Sequence, residues 1–248
     1  MMFMSVPTQA TDTNSRSIAV YEESVSDGLR SFRNSINAAR LSRGTRPGVL
    51  TRKRVIDLVG AGGLLLLMLP LLLLMLAAVT VAGGRPIYGH LRVGRGGRMF
   101  RCWKIRTMVP DAEARLAGLL RADPALADEW ARDHKLRHDP RVTRLGHLLR
   151  LTSFDELPQL WNIVRGEMSL VGPRPVTRAE LARYGGSARH YLAVRPGLTG
   201  MWQLDGRNDM PYARRVVLDR FYATRPSLWR DVTLLARTPL ALLRRPGR

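Results

Sequence analysis

LVGAGGLLLLMLPLLLLMLAAVTVAGG, Leu58 to Gly84, is an uncharged run between Asp57 and Arg85. As a straight helix rising about 1.5 Å per residue it would reach roughly 40 Å, enough to cross a hydrocarbon core. A membrane element is therefore the first fixed point of the fold. Pro70 sits near the middle of the run, where it lacks the N–H of a helical hydrogen bond and predicts a kink. Both flanks are basic: Arg52, Lys53 and Arg54 before the run, then Arg85, Arg92, Arg95, Arg98 and Arg101 after it. Positive flanks favour the cytoplasmic side, and a single crossing cannot put both of them there. A re-entrant hairpin turning at Pro70 resolves the conflict; an ordinary kinked spanning helix is the competing reading. Gly60, Gly62 and Gly63 are not followed by the Lys and Ser/Thr of a phosphate-binding loop, so they suit close packing or a bend.

Upstream, residues 1–48 are rich in Ser, Thr, Asn and Arg and have no apolar signal-peptide core. They read as a disordered arm with a short helix around Ser31 to Leu41. Downstream, the chain becomes soluble in character. Two strands, His90 to Val93 and Met99 to Arg106, flank a glycine-rich turn, and even spacing puts Arg92, Lys104 and Arg106 on one face. Anionic lipid could occupy that basic face as well as a substrate could. Asp111 to His134 alternates Ala and Leu with charge at helical spacing and breaks at Pro124, predicting two amphipathic helices. A further helix is expected near Val176 to Tyr184. The C-terminal stretch predicts amphipathic helices with basic polar faces, suited either to a membrane interface or to packing on the soluble domain. The expected organisation is an arm over 1–48, a re-entrant membrane hairpin over 49–85, and a cytoplasmic catalytic domain with interfacial helices over 86–248. The fold class is α+β: the membrane hairpin plus a small domain of amphipathic helices with short β-strands.

The chemistry concentrates in Thr152 to Pro175, TSFDELPQLWNIVRGEMSLVGPRP. Asp155 and Glu156 are adjacent, so their side chains leave the backbone in different directions and suit different jobs. One can attack an electrophile while the other holds a divalent cation or moves a proton. Alone, the dipeptide reads more simply as a cap, with Ser153 or Asp155 starting a helix through Leu160 and Trp161. The Pro173-Arg174-Pro175 strip shifts that balance, because two fixed φ angles aim one planar guanidinium at little entropic cost, and such a fork suits phosphate. Arg141, Arg144 and Arg150 approach the acidic pair from upstream. Arg195, Gln203 and Arg207 recur in the glycine-rich segment that follows.

A formal net charge of +20 calls for anionic partners: nucleic acid, acidic headgroups or phosphorylated substrates. Only Lys53, Lys104 and Lys135 are lysines, so the charge is nearly all arginine, which weakens any inference from charge alone. No recognisable nucleic-acid module is present and the few aromatics are not spaced as a stacking platform. Cys102 is the only cysteine, which excludes an intrachain disulfide and fits a reducing compartment. The five histidines have no zinc-ligand spacing and read as surface or loop residues.

KRVIDLVGA before the proline-broken run, RVGRGGRMFRCWKIRTM, DPRVTRLGHLLRLTSFDELPQLWNIVRGEMSLVGPRP and RPGLTGMWQLDGRND occur in that order. Together they closely resemble the bacterial sugar transferases, monotopic polyprenyl-phosphate hexose-1-phosphate transferases that initiate exopolysaccharide and O-antigen assembly. The resemblance covers roughly residues 52–243. It implies transfer of hexose 1-phosphate from a UDP-hexose to undecaprenyl phosphate at the cytoplasmic face of the bacterial inner membrane, with release of UMP. It further implies that Asp155 is the nucleophile of a covalent aspartyl-phosphosugar intermediate, that Glu156 is associated with Mg²⁺, and that Pro173, Arg174 and Pro175 are associated with the diphosphate and uridine. Lys104, Arg106, Arg141, Arg150, Arg195, Gln203 and Arg207 are the further candidate substrate contacts, and Pro70 is the membrane break. Inner-membrane lipid is an expected partner, nucleic acid is not, and a homodimer is left open.

The departures from the family pattern are Leu69 where relatives often have Ser, Phe154 where they usually have Leu, and Asp205 where they have Ser or Asn. None touches Asp155, Glu156 or Arg174. The segment GRNDMPYARRVVLD resembles the hexose-using branch, which points to UDP-glucose or UDP-galactose. A catalytically silent membrane adaptor on the same scaffold is the alternative, and the intact Asp-Glu pair argues against it.

Overall fold

The apolar run folds as one long helix, α1 (Pro47–Val81), which continues through Pro70, where the sequence predicts the turn of a hairpin. Its stretch from Arg52 to Val81 is long and apolar enough to cross a membrane. The computed structural model describes residues 47–133, 136, 138–205 and 210–244. The arm expected over 1–48 therefore lies almost wholly outside the described residues, as does the short helix expected near Ser31 to Leu41.

After α1 the chain makes a β-hairpin, β1 (Ile87–Val93) and β2 (Met99–Ile105), antiparallel with Tyr88 opposite Lys104, His90 opposite Cys102 and Arg92 opposite Phe100. This register puts Arg92 and Lys104 on one face, as their even spacing predicts. The glycine-rich turn is a single 3-10 turn over Arg95–Gly97, with Gly96 and Gly97 at positive φ. The two amphipathic helices follow as α2 (Ala112–Ala122) and α3 (Pro124–Asp133), separated at Pro124 as expected. Then come α4 (Arg144–Thr152), α5 (Gln159–Val164) and a short strand β3 (Ser169–Val171).

The expected helix near Val176 to Tyr184 is shorter, α6 (Arg178–Ala182), and opens with a complete capping box between Thr177 and Glu180. It is followed by α7 (Ala188–Ala193), β4 (Gly197–Thr199), α8 (Met201–Asp205), α9 (Tyr212–Thr224) and α10 (Leu228–Arg244). Strands β3 and β4 pair in parallel, so the loops leaving them emerge at the same end. Their backbones approach closely there: a β-carbon on Gly197 would collide with the Gly172 backbone, and one on Gly200 with the Gly172 carbonyl.

Among the described residues, three buried clusters hold these elements. The central one joins Ala61 of α1 to Phe100 and Cys102 of β2, Leu160 and Ile163 of α5, Leu170, Val171, Tyr222 and Leu234. A second gathers Val93, Val176, Leu181, Tyr184, Tyr191 and Leu192. The third sets Leu72 and Val79 of α1 against Ile105 and Leu149, with Phe154 and Leu157 alongside. The C-terminal helices pack on the soluble domain, where Tyr222 and Leu234 enter the core, while Trp229, Val232 and Leu240 stay exposed.

Asn162 joins the two halves of the soluble fold. Fully buried in α5, it donates to the Arg101 carbonyl at 2.8 Å and the Glu167 carboxylate at 2.6 Å, and accepts from the Trp103 N–H at 3.1 Å. Replacing Asn162 by Leu leaves both β2 backbone groups part-buried without these partners, at up to about 1–3 kcal/mol each. Asn162→Leu is expected to lower the thermal unfolding temperature of the detergent-extracted protein by several degrees; an unchanged transition would contradict this role.

Candidate functional site

The carboxylate pair is delivered by the way α4 begins and ends. At its start, the Thr143 side chain accepts from the Gly146 N–H at 2.9 Å, and the Thr143 N–H donates to the Thr107 carbonyl at 3.0 Å. Gly146 rests directly on the Thr107 backbone, where a β-carbon would collide. The helix is thereby seated on the chain just beyond β2. At its end, Ser153 adopts left-handed backbone, with φ 60°. This reverses the chain into one 3-10 turn, Phe154–Glu156, which carries Asp155 inward at 8% exposure. The helix-cap reading of the dipeptide is overturned: neither Ser153 nor Asp155 caps α5, which begins behind Pro158 with no side-chain cap. Phe154 and Leu157, on either side of the pair, pack with Leu72 and Val79 of α1.

Lys104 on β2 meets both carboxylates, with Nζ 2.6 Å from Glu156 Oε1 and 3.5 Å from Asp155 Oδ2. Burial raises the Asp155 carboxyl above the ordinary range, and the Glu156 charge adds to this, while Lys104 and Arg150 pull it back down. For the Lys104 ammonium, burial acts downward, but Glu156 and Asp155 together outweigh it and hold the group above its usual value. Arg150, in the last turn of α4, donates from Nε to Thr107 Oγ1 at 2.9 Å and lies within electrostatic reach of Asp155. Arg174 stands between buried Pro173 and Pro175 in the loop leaving β3, within electrostatic reach of Lys104. Asp155, Glu156, Lys104, Arg150 and Arg174 thus form one neighbourhood. Two adjacent carboxylates suit a hydrated Mg²⁺ that takes its other oxygens from water and substrate phosphates, and among the described residues no third Asp, Glu, His or Cys joins them.

The other candidates fall elsewhere or serve the scaffold. Arg141 is buried and commits its fork to Asp139, at 2.7 Å from Nε and 2.6 Å from Nη2, with Trp130 against its guanidinium. Arg195 donates to the Gly166 carbonyl at 2.8 Å, and Arg54 of α1 to the carbonyls of Ile163 and Val164, so the two arginines cap the C-terminal end of α5. Burial lowers the Arg195 guanidinium, and so does Arg54 beside it. Arg106 leaves Nε buried without a partner, and Gln203 bonds the Leu198 carbonyl through Nε2 while its Oε1 has no partner. Arg207 lies outside the described residues.

Three groups near the site are absent from the sequence-derived set. His90 shares the Lys104 face of the hairpin, with Nδ1 buried and unpartnered, and burial followed by the Arg92 charge lowers its imidazole. Period-two alternation could have found it. Trp202 and Arg215 belong to α8 and α9, and no short spacing relates them to Arg174. Arg92, expected on the basic face, is tied to Glu180 at 2.8 Å.

The family model described as bacterial sugar transferase matches residues 49–245. The chain is 53% identical over 195 residues to a UDP-galactose-lipid carrier transferase of Erwinia amylovora, an overlap covering 79% of this chain and 41% of the relative. It is 48% identical over 187 residues to the exopolysaccharide production protein ExoY of Rhizobium meliloti, covering 75% of this chain and 83% of the relative. It is 36% identical over 260 residues to a UDP-glucose:undecaprenyl-phosphate glucose-1-phosphate transferase of Caulobacter vibrioides, covering 96% and 92%. The chain spans about two fifths of the length of the Erwinia protein.

The left-handed Ser153 yields a direct prediction. A β-branched side chain there adds a steric cost of about 1–2 kcal/mol, whereas glycine adopts the conformation freely. Ser153→Gly should match or exceed the wild-type unfolding temperature, and Ser153→Val should fall below it. The reverse order would mean that the turn is built differently.

Proposed function

The chain belongs to the bacterial sugar transferase family, and from that premise we propose that it moves hexose 1-phosphate from a UDP-hexose to undecaprenyl phosphate, releasing UMP. This would be the first membrane step of exopolysaccharide or O-antigen assembly, at the cytoplasmic face of the inner membrane. The observation that carries the reading is the buried Asp155 carboxylate with an ammonium at 3.5 Å and its acidic neighbour on the same ammonium.

In this mechanism an Asp155 carboxylate oxygen attacks the β-phosphorus of the donor. The bond to the bridging oxygen breaks and UMP leaves with the electron pair, so the sugar phosphate is held on Asp155 as an acyl phosphate. A phosphate oxygen of the polyprenyl carrier then attacks the same phosphorus, frees the carboxylate and gives the lipid diphosphate-linked hexose. Lys104 neutralises charge on the transferring phosphoryl group from one side, and Arg174 orients the diphosphate with its planar fork. Bound through Glu156, Mg²⁺ would neutralise the charge building on the departing nucleotide phosphate. Arg150 joins Lys104 in pulling the Asp155 carboxyl down against its burial, and the orphaned Arg106 Nε is a donor suited to an incoming oxyanion.

The membrane arrangement proposed is the re-entrant one. Its support is that both ends of the apolar helix attach to the same soluble domain. Near one end Lys53 donates to the Val171 carbonyl at 3.1 Å and Asp57 accepts from the Ser169 hydroxyl and the Leu170 N–H, both at 2.9 Å. Near the other, Val79 packs with Ile105 and Leu149. A helix spanning the bilayer would leave its two ends on opposite faces. Cysteine-accessibility labelling of Met1 and of the catalytic domain should find both on the same face, and opposite faces would refute the hairpin.

UMP release from a panel of UDP-sugars, with and without undecaprenyl phosphate, tests the reaction. Lipid-dependent release from a UDP-hexose is expected, with loss of transfer in Asp155→Asn and near loss in Glu156→Gln; substantial turnover by either variant contradicts the roles given. The pH dependence has a definite sign. The attacking carboxylate must be ionised, so burial of Asp155 sets the acid limb above the ordinary carboxylate range. Lys104 lowers that group, so in Lys104→Met the residual activity should lose its acid limb at higher pH than the wild type. A limb that stays put or moves down would separate Lys104 from the nucleophile.

A further inference from the structure

The hairpin face that carries Lys104 runs on toward the end of the apolar helix. The Arg106 N–H donates to the Pro86 carbonyl at 2.8 Å, which carries the β1–β2 ladder one pair past its last strand residues. Side chains two apart on a strand point the same way, about 7 Å from each other, so Arg106 follows Lys104 on one face. Its stem lies beside Gly84, with Cδ 3.7 Å from where a β-carbon on that residue would stand; the same point is 3.8 Å from the Val79 carbonyl of α1. Arg106 is half-buried, and its Nε is buried with no hydrogen-bond partner among the described residues. An N–H left so is costly, and a ligand oxygen bonded to it removes the cost. Arg174 belongs to the other direction. It is within electrostatic reach of Lys104, Cys102 and Glu180, and Glu180 pairs at 2.8 Å with Arg92, farther along β1 from Gly84. Its guanidinium carbon lies 5.8 Å from the centre of the buried Trp202 ring of α8, and that of Arg215 lies 4.7 Å from the same ring. Along the hairpin, Lys104 therefore has Arg106 on its α1 side, while the groups in reach of Arg174 extend the opposite way.

We propose that Arg106 binds the phosphate of the polyprenyl carrier, so that the two phosphate-bearing substrates reach Lys104 and Asp155 from opposite ends of one hairpin face. The proposal rests on the phosphosugar-transfer reading and assigns to one of its two substrates a donor that the reading leaves open. The position of Arg106 favours the lipid. The end of a long apolar helix stands at headgroup level whether that helix re-enters or crosses, so a phosphate carried on a lipid meets Gly84 and Arg106 before it meets Arg174. A planar fork suits a phosphate monoester, which offers several free oxygens to neighbouring N–H groups. The strand end is also tied to the nucleophile. Thr107, the next residue, accepts from Arg150 Nε at 2.9 Å, and Arg150 lies in electrostatic reach of Asp155. A phosphate held at Arg106 is thereby kept beside the group from which it takes the sugar phosphate.

The test is KM for undecaprenyl phosphate and for the UDP-hexose, measured on the full-length protein in detergent micelles, together with UMP affinity by calorimetry. Loss of one charge-assisted contact predicts that Arg106→Gln raises the lipid KM by about 10–100-fold, with the donor KM and UMP affinity unchanged. Arg106→Lys keeps the charge but not the fork, so it should fall between the two; it carries the test if the glutamine variant unfolds. Arg101→Gln, exposed on the opposite face of β2, removes the same charge and should keep the wild-type lipid KM. Ordinary anionic lipid offers similar oxygens, so phosphatidylglycerol added to the micelles should inhibit the wild type no more than the same amount of phosphatidylcholine does. Stronger inhibition by phosphatidylglycerol that disappears in Arg106→Gln would give the residue to bulk headgroups and overturn the proposal. An unchanged lipid KM in a folded Arg106→Gln also overturns it, as does a rise confined to the donor KM, which would assign Arg106 to the nucleotide sugar. A folded wild type without turnover on any UDP-hexose overturns the transfer reading, and the assignment of Arg106 with it.

Discussion

The amide of Asn162 is the contact on which the site depends. It completes the free edge of β2 as a neighbouring strand would, one group accepting from Trp103 and the other donating to Arg101. Lys104 is the next residue along that strand, and Asp155 and Glu156 lie a few residues before α5. A single buried side chain therefore fixes the spacing between the cation and its two carboxylates. An ion pair alone would not do this. In a partly exposed setting, the Lys104 contacts have modest strength and a flexible stem, so their geometry has to be imposed by something stiffer.

The second constraint is the coupling of the apolar helix to the catalytic turn. Asp57, 2% exposed, accepts from β3, and Lys53 bridges the Val171 carbonyl and Asp231 at 2.6 Å. Farther along, Leu72 and Val79 share a cluster with Phe154 and Leu157, the residues that bracket the acidic pair. In the proposed arrangement, the apolar helix is also the floor of the site and would set the depth at which Asp155 sits relative to the bilayer. The proposed reaction, joining a soluble nucleotide sugar to a lipid phosphate, would need that depth set, because a carrier phosphate cannot travel far from the headgroup plane.

Much of this was legible in the residues and some was not. The apolar run, the hairpin with Lys104 on its basic face, the Pro124 break and the acidic pair all rest on local periodicity or on a few adjacent residues, and local signals survive folding. The turn at Ser153 had no such signal. Left-handed backbone usually selects Gly or Asn, and serine gives no warning of it. Arg141 and Arg195 looked like substrate ligands because arginines beside an acidic pair suit phosphate. Arg141 instead holds Asp139, and Arg195 caps α5. The grouping of Arg174, Trp202 and Arg215 depends on the parallel pairing of two three-residue strands, too short to announce themselves by alternation.

These placements also show how a chain with 40 basic residues against 20 acidic ones marks a binding site. Net charge draws anions to the whole surface and so distinguishes no part of it. Arg54 and Arg195 spend their donors on the end of a helix, and Arg141 on one carboxylate; each is matched by a fixed partner of opposite polarity. At the site the balance differs. Lys104 stands with two carboxylates, one of them also within reach of Arg150, and Arg174 is set near other cations, Lys104 and Arg215. Several ionisable groups crowded into one partly buried place are costly to hold there, and such clusters gather at functional sites. In a chain this basic, the functional arginines are better identified by the company they are forced to keep than by their number.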